Sequence, residues 1–446
     1  MLASWFDRLL GRARPLAPPP RGSVRSRPGA AAAGGPASVP PDARRSVPVG
    51  AHRPLIGPRG QIAGFEFRLG DGMLRRLRGR GDSAAAAASI GSLLGAMRTC
   101  AQNGQAAYGE VPAAWLLHAT GHESMQANMF LALNDDDVQP AELTALLPRL
   151  QAWRAAGAQL GWRAGSRVGT VLPAPDFQVL PTAGLDAAAL VAALRANPGG
   201  LPLIALDLPG IEALEAALRA GVRLACCHID SRAEPPEARP LTPQTQRLLK
   251  LMNQLARDAD TPDLVAAIKA DVSLSYRLLR QLNSAAVCAS GELGSIEQAV
   301  ALLGRNELYR WVSVLLVRQA PARPASAALQ AMALARARFF ELLAEARGEP
   351  QPGALFTLGL ASMLPLLLQT PLPDALAALQ LHPQAALALL ERQGPWCAYL
   401  ALAEVLDESD LEEAAPLAEA FGGLQAVMAQ STRAWAFGTT PPPAEK

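Results

Sequence analysis

The chain has 446 residues, half of them apolar, and a formal net charge of +2. This length exceeds one ordinary hydrophobic core and predicts two domains with flexible tails. The small net charge argues against bulk attraction to nucleic acid or to a membrane surface, so no nucleic-acid partner is expected. The longest uncharged apolar stretch, 354–368, contains Pro365 and is shorter than the ~20 residues that a spanning helix needs. We therefore expect no transmembrane segment.

The cysteines and the first residues of the chain predict a cytoplasmic protein. Five cysteines without a CxxC pair predict neither a disulfide framework nor a zinc site. The first residues lack the apolar core and cleavage site of a signal peptide.

Residues 13–50 are rich in Pro, Ala, Gly, Ser and Arg, and a segment of this composition cannot bury enough apolar surface to offset the entropy lost on ordering. We expect a disordered region at 1–50 and a flexible tail at 433–446.

Between residues 55 and 230, short apolar runs alternate with stretches of helical periodicity. The alternation predicts a parallel sheet with helices between its strands, open or closed into a barrel. The predicted strands are 61–69, 106–111, 129–133, 158–163, 177–180, 201–206 and 222–226. The predicted helices are 83–101, 112–119, 140–156, 185–196 and 211–220.

A Pro-, Glu- and Arg-rich segment, 231–240, marks the boundary with an all-helical second half. Asp260 and Pro262 predict a helix start, and Ser295 with Gln298 has the spacing of a capping box. Gly304 follows an apolar stripe and is placed to stop that helix. The predicted domain bounds are 51–236 for the α/β domain and 237–432 for the helical one.

The second half resembles the HDOD family through two motifs, LSYRLLRQLNSA at 274–285 and SIEQAVALLG at 295–304. Glu307, Leu308 and Trp311 follow at the family's spacing, and the match runs from about 241 to 320. Val272 is a minor departure, because the family usually has Pro after the residue equivalent to Asp271. The resemblance implies a fold related to HD phosphohydrolases without their metal site. The family-signature residues are expected to be structural: Asp271, Asn283, Ser284, Gly304 and Trp311.

Histidine counts provide a separate test of hydrolase chemistry in the helical half. An HD-type metal site needs an adjacent His-Asp pair and further His and Asp ligands. His382 is the only histidine beyond residue 240, and no histidine in the chain is followed by Asp. In the first half, His118 and His122 lie beside Glu123 but lack the H-E-x-x-H order. We expect a surface loop there rather than a metal site.

The segment GFEFRL at 64–69 resembles the first strand of EAL domains. Active members of that family hydrolyse the cyclic dinucleotide c-di-GMP with two metal ions, and an EAL domain joined to an HDOD domain is a known bacterial arrangement. The resemblance implies Glu66 as the first metal ligand. Further carboxylates, an Asn and a Lys are expected at successive strand ends, because carboxylates hold the divalent ions.

Few of those ligands are present in the preferred alignment. Ala132 stands for the second Glu, Arg163 and Ala164 for an Asp pair, Val179 for the Lys and Leu206 for a later Glu. In a competing alignment, Asp207 belongs to the Asp-pair strand and Asp230 lies in the Lys strand. That version leaves too little chain to finish a barrel before the helical half. Either alignment predicts a degenerate site, and Arg163 is expected to replace a cation because a guanidinium stays protonated.

These observations predict a degenerate EAL-like (β/α) barrel followed by an all-helical HDOD domain. The expected function is non-catalytic signal transduction, with the HDOD domain binding other signalling proteins. No catalytic residue, metal or cofactor is expected, and Glu66 is a residual EAL position. Two alternatives remain open: a c-di-GMP phosphodiesterase with displaced ligands, and a sensor that binds c-di-GMP without cleaving it.

Overall fold

The computed structural model describes most of the chain between residues 53 and 438. The described residues are 53–69, 83–116, 125–134, 140–163, 166, 168–172, 174–180, 182, 185, 187–196, 200–230, 239–282, 295–377, 379–408 and 411–438. The predicted disordered region at 1–50 lies outside them, as do His118, His122, Asn283, Ser284 and Cys288.

The first half folds into a closed barrel of eight strands in the order β1 to β8. Strands β2 to β8 run parallel, whereas β1 pairs antiparallel with both β2 and β8. The strands are β1 (Arg53–Ile56), β2 (Ile62–Phe67), β3 (Ala106–Pro112), β4 (Met129–Asn134), β5 (Gln159–Arg163), β6 (Phe177–Leu180), β7 (Leu203–Leu208) and β8 (Leu224–Cys227).

Helices connect the parallel strands, as a right-handed crossover between parallel neighbours requires. They are α1 (Ser83–Gln102), α2 (Ala113–Leu116), α3 (Pro140–Ala155), α4 (Val168–Val171), α5 (Ala187–Arg195) and α6 (Ile211–Arg219). Each predicted strand and helix of this half overlaps an observed one. The sequence pattern did not predict β1, which is four residues long and contains Pro54.

The regular elements described in the second half are all helices. Its helices are α7 (Pro243–Ala256), α8 (Thr261–Lys269), α9 (Val272–Leu282), α10 (Ile296–Val317), α11 (Ser326–Arg347), α12 (Pro352–Leu368), α13 (Leu372–Ala377), α14 (Pro383–Leu390), α15 (Cys397–Asp407), α16 (Leu411–Glu419) and α17 (Leu424–Gly438). The predicted fold class, a barrel followed by an all-helical domain, is confirmed.

Individual residues decide where two helices of the second half begin and where one of them is interrupted. The Ser295 hydroxyl accepts from the Gln298 amide at 3.2 Å, which confirms the predicted cap of α10. Asp260 precedes α8 without a side-chain cap bond. Gly304 adopts φ 72° and ψ 168°, which is open to glycine and breaks the helical path. The chain turns at Gly304 and enters a second helical segment at once, so α10 is kinked rather than ended.

The two halves pack against each other through apolar and polar contacts. One continuous cluster of buried residues runs from α5, α6 and β7 into the helical half. Glu215 on α6 accepts from Arg323 Nε at 2.5 Å and from the Ala325 amide at 3.4 Å. The Gly60 carbonyl in the β1–β2 turn accepts from the Ala328 amide at 2.8 Å. The barrel therefore satisfies amides at the start of α11 that have no partner within the helix.

The last helix, α17, extends further along the chain than the sequence predicted. The flexible tail was predicted from residue 433, but α17 continues to Gly438. Ala434 and Phe437 are buried, and the Trp435 ring contacts Phe65 of β2 edge-on at 5.3 Å between centroids. Apolar burial thus extends the helix by six residues into the predicted tail. Among the described residues, no helix has the length and hydropathy needed to span a bilayer.

Candidate functional site

Polar and ionisable side chains meet at the carboxyl end of the barrel. Glu66 and Asp207 each lie one residue before the end of a parallel strand, β2 and β7. Because β1 runs antiparallel, its first residue, Arg53, lies at the same end and pairs in register with Glu66. Functional residues of barrels with this alternation gather at this end, since the loops after the strands meet there. We call the group Arg53, Glu66, Arg68 and Asp207 the mouth cluster.

The mouth cluster is a closed set of ion pairs. Arg53 reaches Glu66 Oε2 with Nε at 2.8 Å and Nη2 at 2.7 Å, and its Nη2 also lies 2.6 Å from Asp207 Oδ1. Arg68 donates from Nε to Glu66 Oε1 at 2.7 Å and from Nη2 to both Asp207 oxygens at 2.8 Å. Both oxygens of each carboxylate therefore contact a guanidinium group.

Burial and charge act against each other in this cluster. Arg53 and Glu66 are each 1% exposed. Burial alone would lower the pKa of Arg53, but the negative charges beside it outweigh burial and raise that pKa. Burial alone would raise the pKa of Asp207, but Arg53 and Arg68 hold it below its ordinary value. Arg53 and Asp207 are therefore both charged at neutral pH.

Cys226 of β8 lies under the cluster. Its thiol is 3.7 Å from Glu66 Oε2. Burial, followed by the charge of Glu66, raises the pKa of this thiol to about 12. The thiol is therefore neutral at pH 7, and the carboxylates supply the negative charge that stabilises Arg53. The described cysteines, Cys100, Cys226, Cys227 and Cys397, form no disulfide.

Arg163 lies at the rim of the mouth and does not join the cluster. Its Nη2 is 3.2 Å from Glu110 Oε2, and about half of its side chain is exposed. Tyr108, which is buried, donates to the same Glu110 oxygen at 3.4 Å. The prediction that Arg163 takes the position of a cation is wrong, because Arg53 and Arg68 are the guanidinium groups that contact Glu66.

The described residues of the mouth do not fit a divalent metal. Glu66 and Asp207 are the carboxylates of the cluster, and guanidinium groups already contact all four of their oxygens. Within the described residues, no group of three or more His, Cys, Asp and Glu side chains could hold a metal ion. A cation placed between these carboxylates would also be repelled by two arginines that cannot lose their charge.

Sequence reasoning identified part of this cluster. Glu66 was predicted from the family resemblance, whereas Asp207 appeared only in the competing alignment and Arg53 in neither. Arg68 stood in the strand motif without a role. One signal was available: residues two apart in a strand share a face, so Arg68 and Glu66 were placed to pair.

The family-signature residues of the helical half have structural contacts where they are described. Asp271 accepts from the Leu274 amide at 3.0 Å at the start of α9, and Arg247 Nη1 lies 3.3 Å from it. Gly304 forms the kink in α10, and Trp311 packs at the edge of the core while remaining partly exposed.

Helix α9 also presents apolar side chains to solvent. Val272 is 82% exposed and Tyr276 62% exposed, and the two lie four positions apart on one face of the helix. The Arg280 guanidinium lies 5.6 Å from the centre of the Tyr276 ring, one further turn along. We call Val272, Tyr276 and Arg280 the α9 stripe. The sequence analysis noted Val272 only as a departure from the family pattern.

Comparison with known proteins assigns the second half. The family model of the HDOD domain matches residues 240–391. Bacillus subtilis YuxH, an uncharacterised protein, is 30% identical over 171 residues, which is 38% of this chain and 42% of YuxH. Vibrio cholerae CdgJ, named a cyclic di-GMP phosphodiesterase, is 28% identical over 182 residues, 40% of this chain and 42% of CdgJ. The chain thus spans less than half the length of either relative.

Solved structures with EAL domains are also similar to the chain. The EAL domain of Xanthomonas citri FimX in complex with c-di-GMP is 11% identical, with a TM-score of 0.30, and covers 40% of this chain and 84% of its own. Bacillus subtilis YkuI, with an EAL domain and in complex with c-di-GMP and calcium, is 14% identical with a TM-score of 0.30. It covers 58% of this chain and 72% of its own. At these TM-scores the similarities support no inference about chemistry.

These findings correct one expectation and confirm another. The match to CdgJ, named a phosphodiesterase, overturns the expectation that the chain has no catalytic activity. The predicted arrangement of a barrel joined to an HDOD domain is confirmed by the closed barrel and the family match. Residues 240–391 of this chain are an HDOD domain.

Proposed function

We propose that this chain is a signal-transduction regulator in c-di-GMP signalling that binds another signalling protein through its HDOD domain. The observation that carries the proposal is the exposure of Val272 and Tyr276 on one face of α9. The HDOD match and the relative named for c-di-GMP support the pathway.

The α9 stripe has the composition of a protein-binding surface. Aromatic and Arg side chains contribute most of the binding energy at protein interfaces, because they bury large areas and also form directed contacts. Leu274, Leu278 and Leu282 fix the opposite face of α9 in the core, so the stripe is held on a rigid element. Arg277 and Arg280 on the same helix favour a partner with carboxylates beside an apolar side chain.

The test is partner capture with full-length protein and a matched control. The variant Val272→Ser with Tyr276→Ser removes the apolar groups of the stripe. Leu390→Ser removes another exposed apolar side chain, 54% exposed on α14, and serves as the control. A partner captured by wild type and the control, but lost by about tenfold or more in the double variant, would support the proposal. Circular dichroism must show unchanged helix content.

Equal capture by all three proteins would contradict the proposal. If capture does depend on the stripe, the captured protein is purified and titrated calorimetrically against this chain. The titration separates direct binding to the stripe from indirect association. Without binding of the purified partner to wild type, the assignment to α9 fails.

A second candidate is hydrolysis of c-di-GMP by the barrel, favoured by the match to CdgJ. In the arrangement described, guanidinium groups occupy the carboxylates of the mouth cluster, so this candidate requires the cluster to rearrange, and Glu66 is the residue at which to test it. Full-length protein is incubated with c-di-GMP and Mg²⁺ or Mn²⁺, and the linear product is detected by chromatography. Product formation that Glu66→Gln abolishes would support this function, and no product under either metal would count against it. Calorimetry with c-di-GMP tests the remaining alternative, binding as a sensor.

A further inference from the structure

The mouth cluster lies where the barrel closes. In the strand order, β8 and β1 separate β7, which carries Asp207, from β2, which carries Glu66. The pairing of β1 with β8 is short, with a single register pair, Ile56 with Ala225. The other neighbouring strands of the barrel are joined by three to six register pairs each. The closure between β8 and β1 is therefore the shortest strand pairing in the barrel.

Arg53 spans this closure with its side chain. It extends from β1 and contacts Glu66 of β2 and Asp207 of β7. Arg68 repeats the connection from just after β2, with bonds to the same two carboxylates. Each guanidinium is thus a cationic bridge between carboxylates from opposite sides of the closure, the arrangement that a bound metal ion would otherwise provide.

We propose that Arg53 and Arg68 replace divalent cations between Glu66 and Asp207, so that their guanidinium groups close the barrel and exclude metal from its mouth. The charges balance, because two guanidinium groups face two carboxylates. A guanidinium keeps its charge at all accessible pH values and directs its N–H groups in a plane, which suits bridging between carboxylates. The bridge therefore does not depend on the supply of a metal ion.

The proposal is tested by Mn²⁺ binding to the full-length protein, followed by the electron paramagnetic resonance signal of free Mn²⁺. Wild type is expected to take up no Mn²⁺ at the mouth, and its unfolding temperature should be the same in Mn²⁺ and in EDTA. Arg68→Met and the double variant Arg53→Met with Arg68→Met leave the carboxylates without their cations. We expect the double variant to take up Mn²⁺ at the mouth, at least about tenfold more tightly than any weak binding by wild type, because two repulsive charges at contact distance are removed.

Matched variants locate any binding that appears. Arg163→Met removes a rim arginine of similar type, and it should leave Mn²⁺ uptake as in wild type. Adding Glu66→Gln to the double variant should abolish the gain. If the double variant does not fold, Arg68→Met alone carries the test, because Arg68 is about one-third exposed and its loss opens no core cavity.

Two outcomes would overturn the proposal. One is stoichiometric Mn²⁺ uptake by wild type that Glu66→Gln removes. The other is equal uptake by wild type and by the arginine variants that fold. These measurements do not involve a partner protein, so their failure is distinguishable from failure of the proposed function of the α9 stripe.

Discussion

The barrel mouth and the helical half each bury arginines against carboxylates, but they assemble these groups differently. The mouth cluster joins residues from β1, β2 and β7 and balances two guanidinium groups with two carboxylates. In the helical half, Arg338 Nη1 lies 2.5 Å from Glu341 Oε2 and 3.2 Å from Glu345 Oε1, all on α11. Arg310 of α10 pairs with Glu341 and with Glu307.

The difference lies in sequence distance and in access to water. Arg338, Glu341 and Glu345 follow at helical spacings of three and four, so one helix brings them together. Arg53 and Asp207 meet only because the barrel closes. Arg338 and Glu341 are each 1% exposed, as are Arg53 and Glu66, but the mouth cluster also contains Arg68 and Asp207, whose side chains are 34% and 39% exposed. We therefore expect the helical cluster to tolerate the loss of a partner less well than the mouth cluster.

The largest expected effect is that of Glu341→Ala. The substitution leaves Arg338 and Arg310 without their shared buried carboxylate, and we expect the free energy of unfolding to fall by about 3–5 kcal/mol. Urea unfolding followed by circular dichroism measures this change. Glu345→Ala on the same helix removes a partner that is one-third exposed and should cost less than about 1 kcal/mol. Equal effects of the two variants would contradict the assigned burial.

Glu66→Ala should have the next largest effect. Arg53 loses one of its two carboxylates but keeps Asp207, so we expect a loss of about 2–3 kcal/mol in the same urea experiment. Glu110→Ala, which removes the partner of the half-exposed Arg163, is the control and should cost less than about 1 kcal/mol. A loss for Glu66→Ala larger than that for Glu341→Ala would reverse the comparison between the two clusters.

Gly60→Ala tests how closely the barrel packs against the helical half at the turn between β1 and β2. Gly60 has φ +73°, and a Cβ there would lie 1.6 Å from the Pro324 carbonyl oxygen of the helical half. We expect a loss of about 2 kcal/mol, from crowding as well as the left-handed conformation. Gly348→Ala is matched in φ, at +69°, with no atom within 4 Å of the added Cβ, and should lose only about 1 kcal/mol. Equal losses of unfolding free energy in the two variants would mean that the contact between Gly60 and Pro324 can move apart without destabilising the protein.

The smallest expected effects are on stability at acid pH. One carboxylate in each half should change its contribution to stability with pH, and the two changes should have opposite signs. Arg53 and Arg68 lower the folded pKa of Asp207, so its contribution to stability is present above the unfolded pKa of about 3.9 and is lost as the pH falls. Asp407 behaves oppositely: burial raises its folded pKa, so its contribution is present at low pH and is lost as the pH rises.

Unfolding titrations between neutral and acid pH distinguish these signs. Asp207→Asn should reduce the loss of stability on acidification, and Asp407→Asn should increase it. Parallel curves for both variants and wild type would show that neither carboxylate contributes to the pH dependence.

The amino-acid pattern predicted most elements but not the closure of the barrel. Alternating apolar runs located β2 to β8 within a few residues, because a buried parallel strand must be apolar on both faces. Strand β1 gave no such signal, since Arg53-Pro54 has little strand character and only Leu55 and Ile56 are apolar. Its pairing with β2 and β8 decides its conformation. Likewise, contact between Trp435 and Phe65 keeps the end of α17 helical.

By itself, the sequence determined the fold class, the HDOD motifs, the cap of α10 and the carboxylate at Glu66. These depend on local spacing, which a linear pattern records. Only the tertiary structure decided that Arg53, Arg68 and Asp207 surround Glu66, that Arg163 pairs instead with Glu110, and that Val272 and Tyr276 face solvent. The physical reason is that ion pairs between distant residues depend on strand order and barrel closure, which no short stretch of sequence specifies.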